Sequence, residues 1–141
     1  MLDAPSTIAA VVERLESAWV PEITAHPDYY AWEPIGIHSF VGALSQYPPG
    51  RFLDVGCGIG TKLLAAHFMG FTVSGIELHS EYAEVARRLV PEAQITVCNA
   101  FDYQGYGDFD VVYLTTLCVD ESRQAELESL IRSSARTLVV M

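Results

Sequence analysis

The sequence predicts a doubly wound α/β fold, a mainly parallel five-stranded sheet with a helical N-terminal cap. From residue 51 onward, short β-rich apolar runs alternate with helical stretches, the pattern of βαβ units whose strands are buried on both faces. The first of these runs leads straight into the glycine-rich turn Gly56-Cys57-Gly58-Ile59-Gly60 and then a helix, as the first strand of such folds does. Before residue 51 the apolar spacing is helical.

The elements follow in order. Ile8, Val11, Val12, Leu15 and Trp19 lie at helical spacing over residues 6–19, with Glu13, Arg14 and Glu16 on the other side, Ser6 or Thr7 as cap and Pro21 as terminator. A turn-like aromatic segment follows, His26-Pro-Asp-Tyr-Tyr-Ala-Trp-Glu-Pro34. A second amphipathic helix is expected over residues 37–47, closed by Pro48-Pro49-Gly50. Strands are expected over residues 52–55, 71–76, 94–98, 109–114 and 137–141. Between them lie helices over 61–69 (stopped by Gly70), 80–89 (capped by Ser80, followed by Pro91) and 121–134. The 141 residues suit one compact domain, with residues 1–50 as cap and 51–141 as core.

Half of the residues are apolar and 18% are charged, so the chain can build a core. The formal net charge of −10 disfavours nucleic acid, whose phosphates would be repelled, and leaves a cationic substrate or a basic protein surface. Cys57, Cys98 and Cys118 form no zinc-type spacing and no paired framework, so all three are expected to be reduced. His26, His67 and His79 have no companions at ligand spacing, and no metal is expected. The N-terminus lacks a signal-peptide pattern and no apolar run reaches the roughly 18 residues of a membrane span, so a cytoplasmic protein is the expectation.

The run Asp54-Val-Gly-Cys-Gly-Ile-Gly60 carries the chemistry. Alternate glycines let the backbone turn sharply and a ligand approach the main chain. A triphosphate loop needs Gly-Lys-Ser/Thr, but Thr61 separates Gly60 from Lys62; a dinucleotide fingerprint needs a third glycine where Thr61 stands. Asp54 would repel a pyrophosphate and attract an amine-bearing cation. S-adenosylmethionine, with a sulfonium, an ammonium and no phosphate, is such a ligand. Glu77, ending the second strand in Gly75-Ile-Glu-Leu78, is placed to accept from both ribose hydroxyls or to act as a helix N-terminal charge. In Asn99-Ala-Phe-Asp102, Asp102 is placed to accept from an adenine amino group or to cap a turn. The Ala100 or Phe101 amide would meet a ring nitrogen, and Phe101 would pack on the base.

These motifs, with Phe109-Asp-Val-Val-Tyr113, resemble the successive motifs of class I S-adenosylmethionine-dependent methyltransferases, over residues 51–141. The resemblance implies a Rossmann-like fold and S-adenosylmethionine as cofactor. It sets Gly56, Cys57, Gly58 and Gly60 along the methionine part, with Asp54 near its amino group. Glu77 with Leu78 would hold the ribose, and Asn99, Ala100, Phe101 and Asp102 the adenine, with Tyr113 beside the cofactor. Members of this family continue to a sixth and an antiparallel seventh strand beyond the fifth, which ends here at Met141. The fifth strand is therefore an apolar edge, and a homodimer, a partner chain or the N-terminal helices would cover it.

After the fourth strand neither the Asp/Asn-Pro-Pro-aromatic loop of base-amine enzymes nor the Pro-Cys pair of cytosine enzymes occurs. Candidate catalytic residues are Tyr113, Thr115 and His38, with Thr116, Tyr29, Tyr30 and Trp32 on the acceptor side. The acceptor is expected to be a small molecule or a protein, including a lysine amine, since the chain also resembles protein-lysine methyltransferases. The alternative is a non-catalytic S-adenosylmethionine-binding or partner subunit with a reduced methyltransferase fold.

Overall fold

The computed structural model describes residues 4–16, 26–33 and 36–141. The order is α1 (Pro5–Glu16), α2 (Ile37–Leu44), β1 (Arg51–Val55), α3 (Thr61–Phe68), β2 (Thr72–Glu77), α4 (Ser80–Leu89), β3 (Gln94–Val97), a 3₁₀ turn (Tyr106–Asp108), β4 (Val111–Leu114), α5 (Glu121–Arg132) and β5 (Leu138–Val140). The five strands form one sheet in the order β3-β2-β1-β4-β5, and every pairing is parallel. The fold is thus the α/β, doubly wound architecture that the sequence predicts. The connections run one way from β1 to β3 and the other way from β4 to β5, so the reversal falls between β1 and β4, where ligands bind in such sheets.

Strand alternation sorts the core into two layers. Phe52, Val73, Ile95, Val111 and Tyr113 pack with α1, α2, α3 and α4; Leu53, Val55, Ile76, Val112 and Leu114 pack with Leu127 and Ile131 of α5. Phe40 of α2 joins the first layer edge-on to Phe52 and Tyr113, at centroid distances of 5.8 and 4.9 Å. The N-terminal helices therefore share a core with the sheet. The outer edge of β5 pairs with no strand among the described residues, and Val140 and Met141 are exposed.

Several element ends differ from expectation. α1 starts at Pro5, and the Ala4 carbonyl accepts from the amides of Thr7 and Ile8, so Ser6 and Thr7 lie inside the first turn rather than capping it. Trp19, Pro21 and Pro34 fall outside the described residues. Glu16, assigned to the polar side of this helix, is buried, while Leu15 is exposed. The buried stripe runs through Ile8, Val12 and Glu16 at i, i+4, i+8, and the Thr61 hydroxyl donates to Glu16 Oε1 at 2.9 Å. Phe71 belongs to the exit of α3 because its amide donates to the Ala66 carbonyl, so β2 begins one residue later. Ser80 is the first residue of α4 and His79 its N-cap, without a side-chain cap.

Candidate functional site

A cavity of about 600 Å³ opens at the carboxyl ends of β1, β2 and β4. Its wall brings together Asp54, Gly56, Cys57, Glu77, Leu78, Asn99, Ala100, Tyr113 and Thr115. These come from four separate loops or strand ends, and the parallel register is what collects them: Asp54 lies level with Gly75 on one side and Tyr113 on the other.

Two acids sit in that wall. Asp54 is 2% exposed, and burial pushes its carboxyl up to about 7, against the opposing charge of Lys62 and with a further rise from Glu77. Burial also raises Glu77, against the lowering effect of the amides that bind it. Glu77 Oε1 accepts from the Gly58 amide at 2.8 Å and Oε2 from the His79 amide at 2.9 Å. The β2 carboxylate thus ties the glycine loop to the start of α4. Cys57 is buried against Gly75, and burial followed by the charges of Asp54 and Glu77 pushes its thiol well up, so it stays a packing group.

The glycine loop is covered by chain from outside the sheet. Gly58 has φ +55°, and a Cβ there would lie 2.0 Å from Cδ1 of Trp32. The indole therefore rests on the face of Gly58. The same segment is stitched to the loop after β4: the Tyr30 amide donates to the Leu117 carbonyl and the Val119 amide to the Asp28 carbonyl, making an antiparallel bridge between Tyr29 and Cys118. Asn99 Nδ2 donates to the Tyr29 hydroxyl at 3.0 Å. Tyr29, Tyr30, Trp32, Thr116 and Leu117 all line the cavity.

Other candidates lie elsewhere. Gly58 and Gly60 are not in the cavity wall, the first because Trp32 covers it and the second because Ala86 packs on it. Phe101 lies under the Arg123 guanidinium, 4.0 Å from its ring centroid, and its amide donates to Asn99 Oδ1 within the turn. Asp102 is exposed, and its amide closes the same turn on the Asn99 carbonyl. His38 is on the outer face of α2, with Nε2 3.4 Å from Glu13 and both side chains more than half exposed. It does not line the cavity, because the face of α2 that packs inward is the one carrying Ile37, Phe40, Val41 and Leu44. Burial and the nearby Asp54 charge push the Tyr113 phenol far up, so it is a donor and not a base at neutral pH.

Sequence reasoning missed Lys62, Tyr82 and His79 as wall residues. Lys62 is 8% exposed, with Nζ 5.9 Å from the centroid of the Tyr113 ring. Its position one residue into the helix after the glycine loop was the available signal. No group of His, Cys, Asp or Glu suited to a metal ion occurs among the described residues, and no described helix is long and apolar enough to cross a membrane.

Comparison with known proteins bears on this arrangement. The family model described as "Methyltransferase domain" matches residues 52–139. A curated protein of Geobacillus sp. (strain WCH70), named provisionally as a methyltransferase, is 30% identical over 102 residues, covering 67% of this chain and 39% of that protein. Among solved structures, magnesium protoporphyrin IX methyltransferase from Synechocystis PCC 6803, with bound S-adenosylhomocysteine, aligns over 96% of this chain and 54% of its own at 15% identity and TM-score 0.59. The PH0226 protein from Pyrococcus horikoshii OT3 aligns over 56% of this chain and 38% of its own at 23% identity and TM-score 0.51. Both structures share the fold, and the chain spans 39% of the length of the curated relative. With the family model covering most of the sheet and the loops that build the cavity, the chain belongs to the methyltransferase-domain family.

Proposed function

We propose that the cavity binds S-adenosylmethionine and that the chain serves transfer of its methyl group to an amine-bearing acceptor, a small molecule or a protein lysine. The observation that carries this reading is the pair of buried carboxylates, Asp54 and Glu77, at the ends of adjacent strands in one cavity. Such a wall attracts a cation and repels phosphate. A carboxylate oxygen has more than one acceptor site, so Glu77 retains capacity for a diol after binding Gly58 and His79. At Gly56, with φ +76°, a Cβ would lie 2.6 Å from the Leu117 side chain, so glycine lets the loop after β4 pack directly on the glycine turn.

On this reading Asp54 holds the amino group, Glu77 the ribose, and Asn99 with Ala100 the base. The bound group supplies an electrophilic methyl on sulfonium. The chain's own part is alignment and exclusion of water. Tyr113 offers a hydroxyl donor, Thr115 and Thr116 form the wall toward the acceptor, and Tyr29, Tyr30 and Trp32 cover the cavity with aromatic faces suited to a cationic amine.

Calorimetry with S-adenosylhomocysteine tests the binding, and transfer of labelled methyl from S-adenosylmethionine to amine acceptors in cell extract tests the activity. The expected result is saturable binding that Asp54→Ala and Glu77→Ala each weaken. No binding at millimolar ligand would leave the cavity without this role, and binding without transfer would favour the non-catalytic subunit.

A further inference from the structure

Thr115, Thr116 and Leu117, which wall the cavity, belong to an irregular loop whose backbone groups have few partners within the sheet. One side chain outside the cavity supplies them. Gln124, partly buried on α5, accepts at Oε1 from the amides of Leu117 (3.0 Å) and Cys118 (2.9 Å), and its Nε2 donates to the Thr115 carbonyl (3.0 Å). Loop backbone that is not paired by sheet or helix must find such partners or stay solvated. The far side of the same loop carries the aromatic strap through Tyr30 N to Leu117 O at 2.8 Å and Val119 N to Asp28 O at 3.0 Å. The strap in turn rests its Trp32 indole on Gly58. The connection is continuous: Gln124, the loop after β4, the strap, and the face of the glycine loop.

We infer that Gln124 is a positioning residue, which fixes the loop after β4 and through it holds the Tyr29–Trp32 strap over the glycine loop, so that it governs how fast a ligand enters and leaves the cavity. It touches no ligand itself. A side-chain amide suits this work because one group both accepts from two amides and donates to a carbonyl. Leucine at the same place keeps helix propensity and volume but leaves all three backbone groups without a partner. The identity of the ligand rests on the proposed function, whereas the anchoring of the strap does not.

The test uses the full chain with Trp19→Phe, so that Trp32 is its one tryptophan. Two readouts are taken on the parent, on Gln124→Leu and on Gln124→Glu, with thermal midpoints measured alongside. Acrylamide quenching of Trp32 in ligand-free protein reads the strap directly. Stopped-flow mixing with S-adenosylhomocysteine reads association and dissociation. In Gln124→Leu quenching rises, and both rate constants rise about tenfold, the factor carried by roughly one hydrogen bond of lost anchoring. Affinity changes little because both rates move together. Gln124→Glu keeps the two acceptor bonds and loses the donor, so it falls between the parent and Gln124→Leu in both readouts. Quenching equal to the parent in both variants, a lowered midpoint as the one change, or any other order among the three proteins overturns the assignment. If S-adenosylhomocysteine does not bind the parent, the ligand reading fails, and the order of quenching alone upholds or overturns the anchoring role.

Discussion

Glu77 Oε1 takes a hydrogen bond from the Gly58 amide at 2.8 Å, so the carboxylate that ends β2 holds the turn that follows β1. Its other oxygen binds the His79 amide, and the side chain is 6% exposed. A residue proposed for ribose is therefore also part of the fold. Glu77→Ala leaves two amides without an acceptor and is expected to cost about 2–6 kcal/mol, at roughly 1–3 kcal/mol per unsatisfied group. Denaturant unfolding checks the stability, and calorimetry with S-adenosylhomocysteine at a temperature where the variant is folded checks the loss of affinity.

Asp54 makes stability depend on pH in an uncommon direction. Its folded-state value is raised from 3.8 to about 7, so the folded chain binds the proton more tightly than the unfolded chain. Between these values the folded state holds more protons, and stability falls as pH rises through about 4 to 7. Asp54→Asn removes that contribution. The difference in unfolding free energy, variant minus parent, is expected to grow over this window by an amount on the order of a few kcal/mol and then level off. A difference that is flat over the window would show that Asp54 is ionised throughout.

The same ionisation bears on the ligand. A cationic amine favours the charged carboxylate, so affinity for S-adenosylhomocysteine is expected to rise as pH passes through about 7. Asp54→Asn should bind more weakly at high pH and without that rise. Titrations at a series of pH values on both proteins read the two slopes directly.

Two glycines separate conformational from contact effects. Gly58→Ala combines a φ of +55° with a Cβ placed 2.0 Å from Trp32, and is expected to displace the indole and cost about 1–3 kcal/mol. Gly42→Ala, within α2 and with nothing within 4 Å of the new methyl, is expected to stabilise by roughly 0.5–1 kcal/mol. Thermal melts rank the three proteins. Trp32 quenching should change in Gly58→Ala alone.

His38→Ala is expected to leave ligand binding unchanged and to alter stability by no more than about 1 kcal/mol, the usual scale of an exposed pair such as that with Glu13. A fall in methyl transfer with binding intact would instead give His38 a part in catalysis.

What the sequence determined by itself is local or periodic. Short β-rich apolar runs and helical stripes announced the alternation of strands and helices, and the glycines beside Asp54 marked the loop at the end of β1. Glu77 was legible because it ends a run that reads as a strand, and strand ends of this fold converge. Phe101 and His38 show where this reasoning stops. An aromatic beside an adenine-type motif and a histidine on a helix have the right chemistry, but only packing decides which way each faces. Arg123 takes the ring of Phe101, and the inward face of α2 is filled by Phe40 and its apolar neighbours, leaving His38 beside Glu13. Glu16, Lys62 and Trp32 acquired their places from contacts between segments distant in the chain, to Thr61, Tyr113 and Gly58 respectively, and Gln124 from the way the loop after β4 folds back on α5, seven residues on from Leu117. Sequence periodicity carries no record of such pairs, because which polar group is buried depends on the partner that folding brings to it.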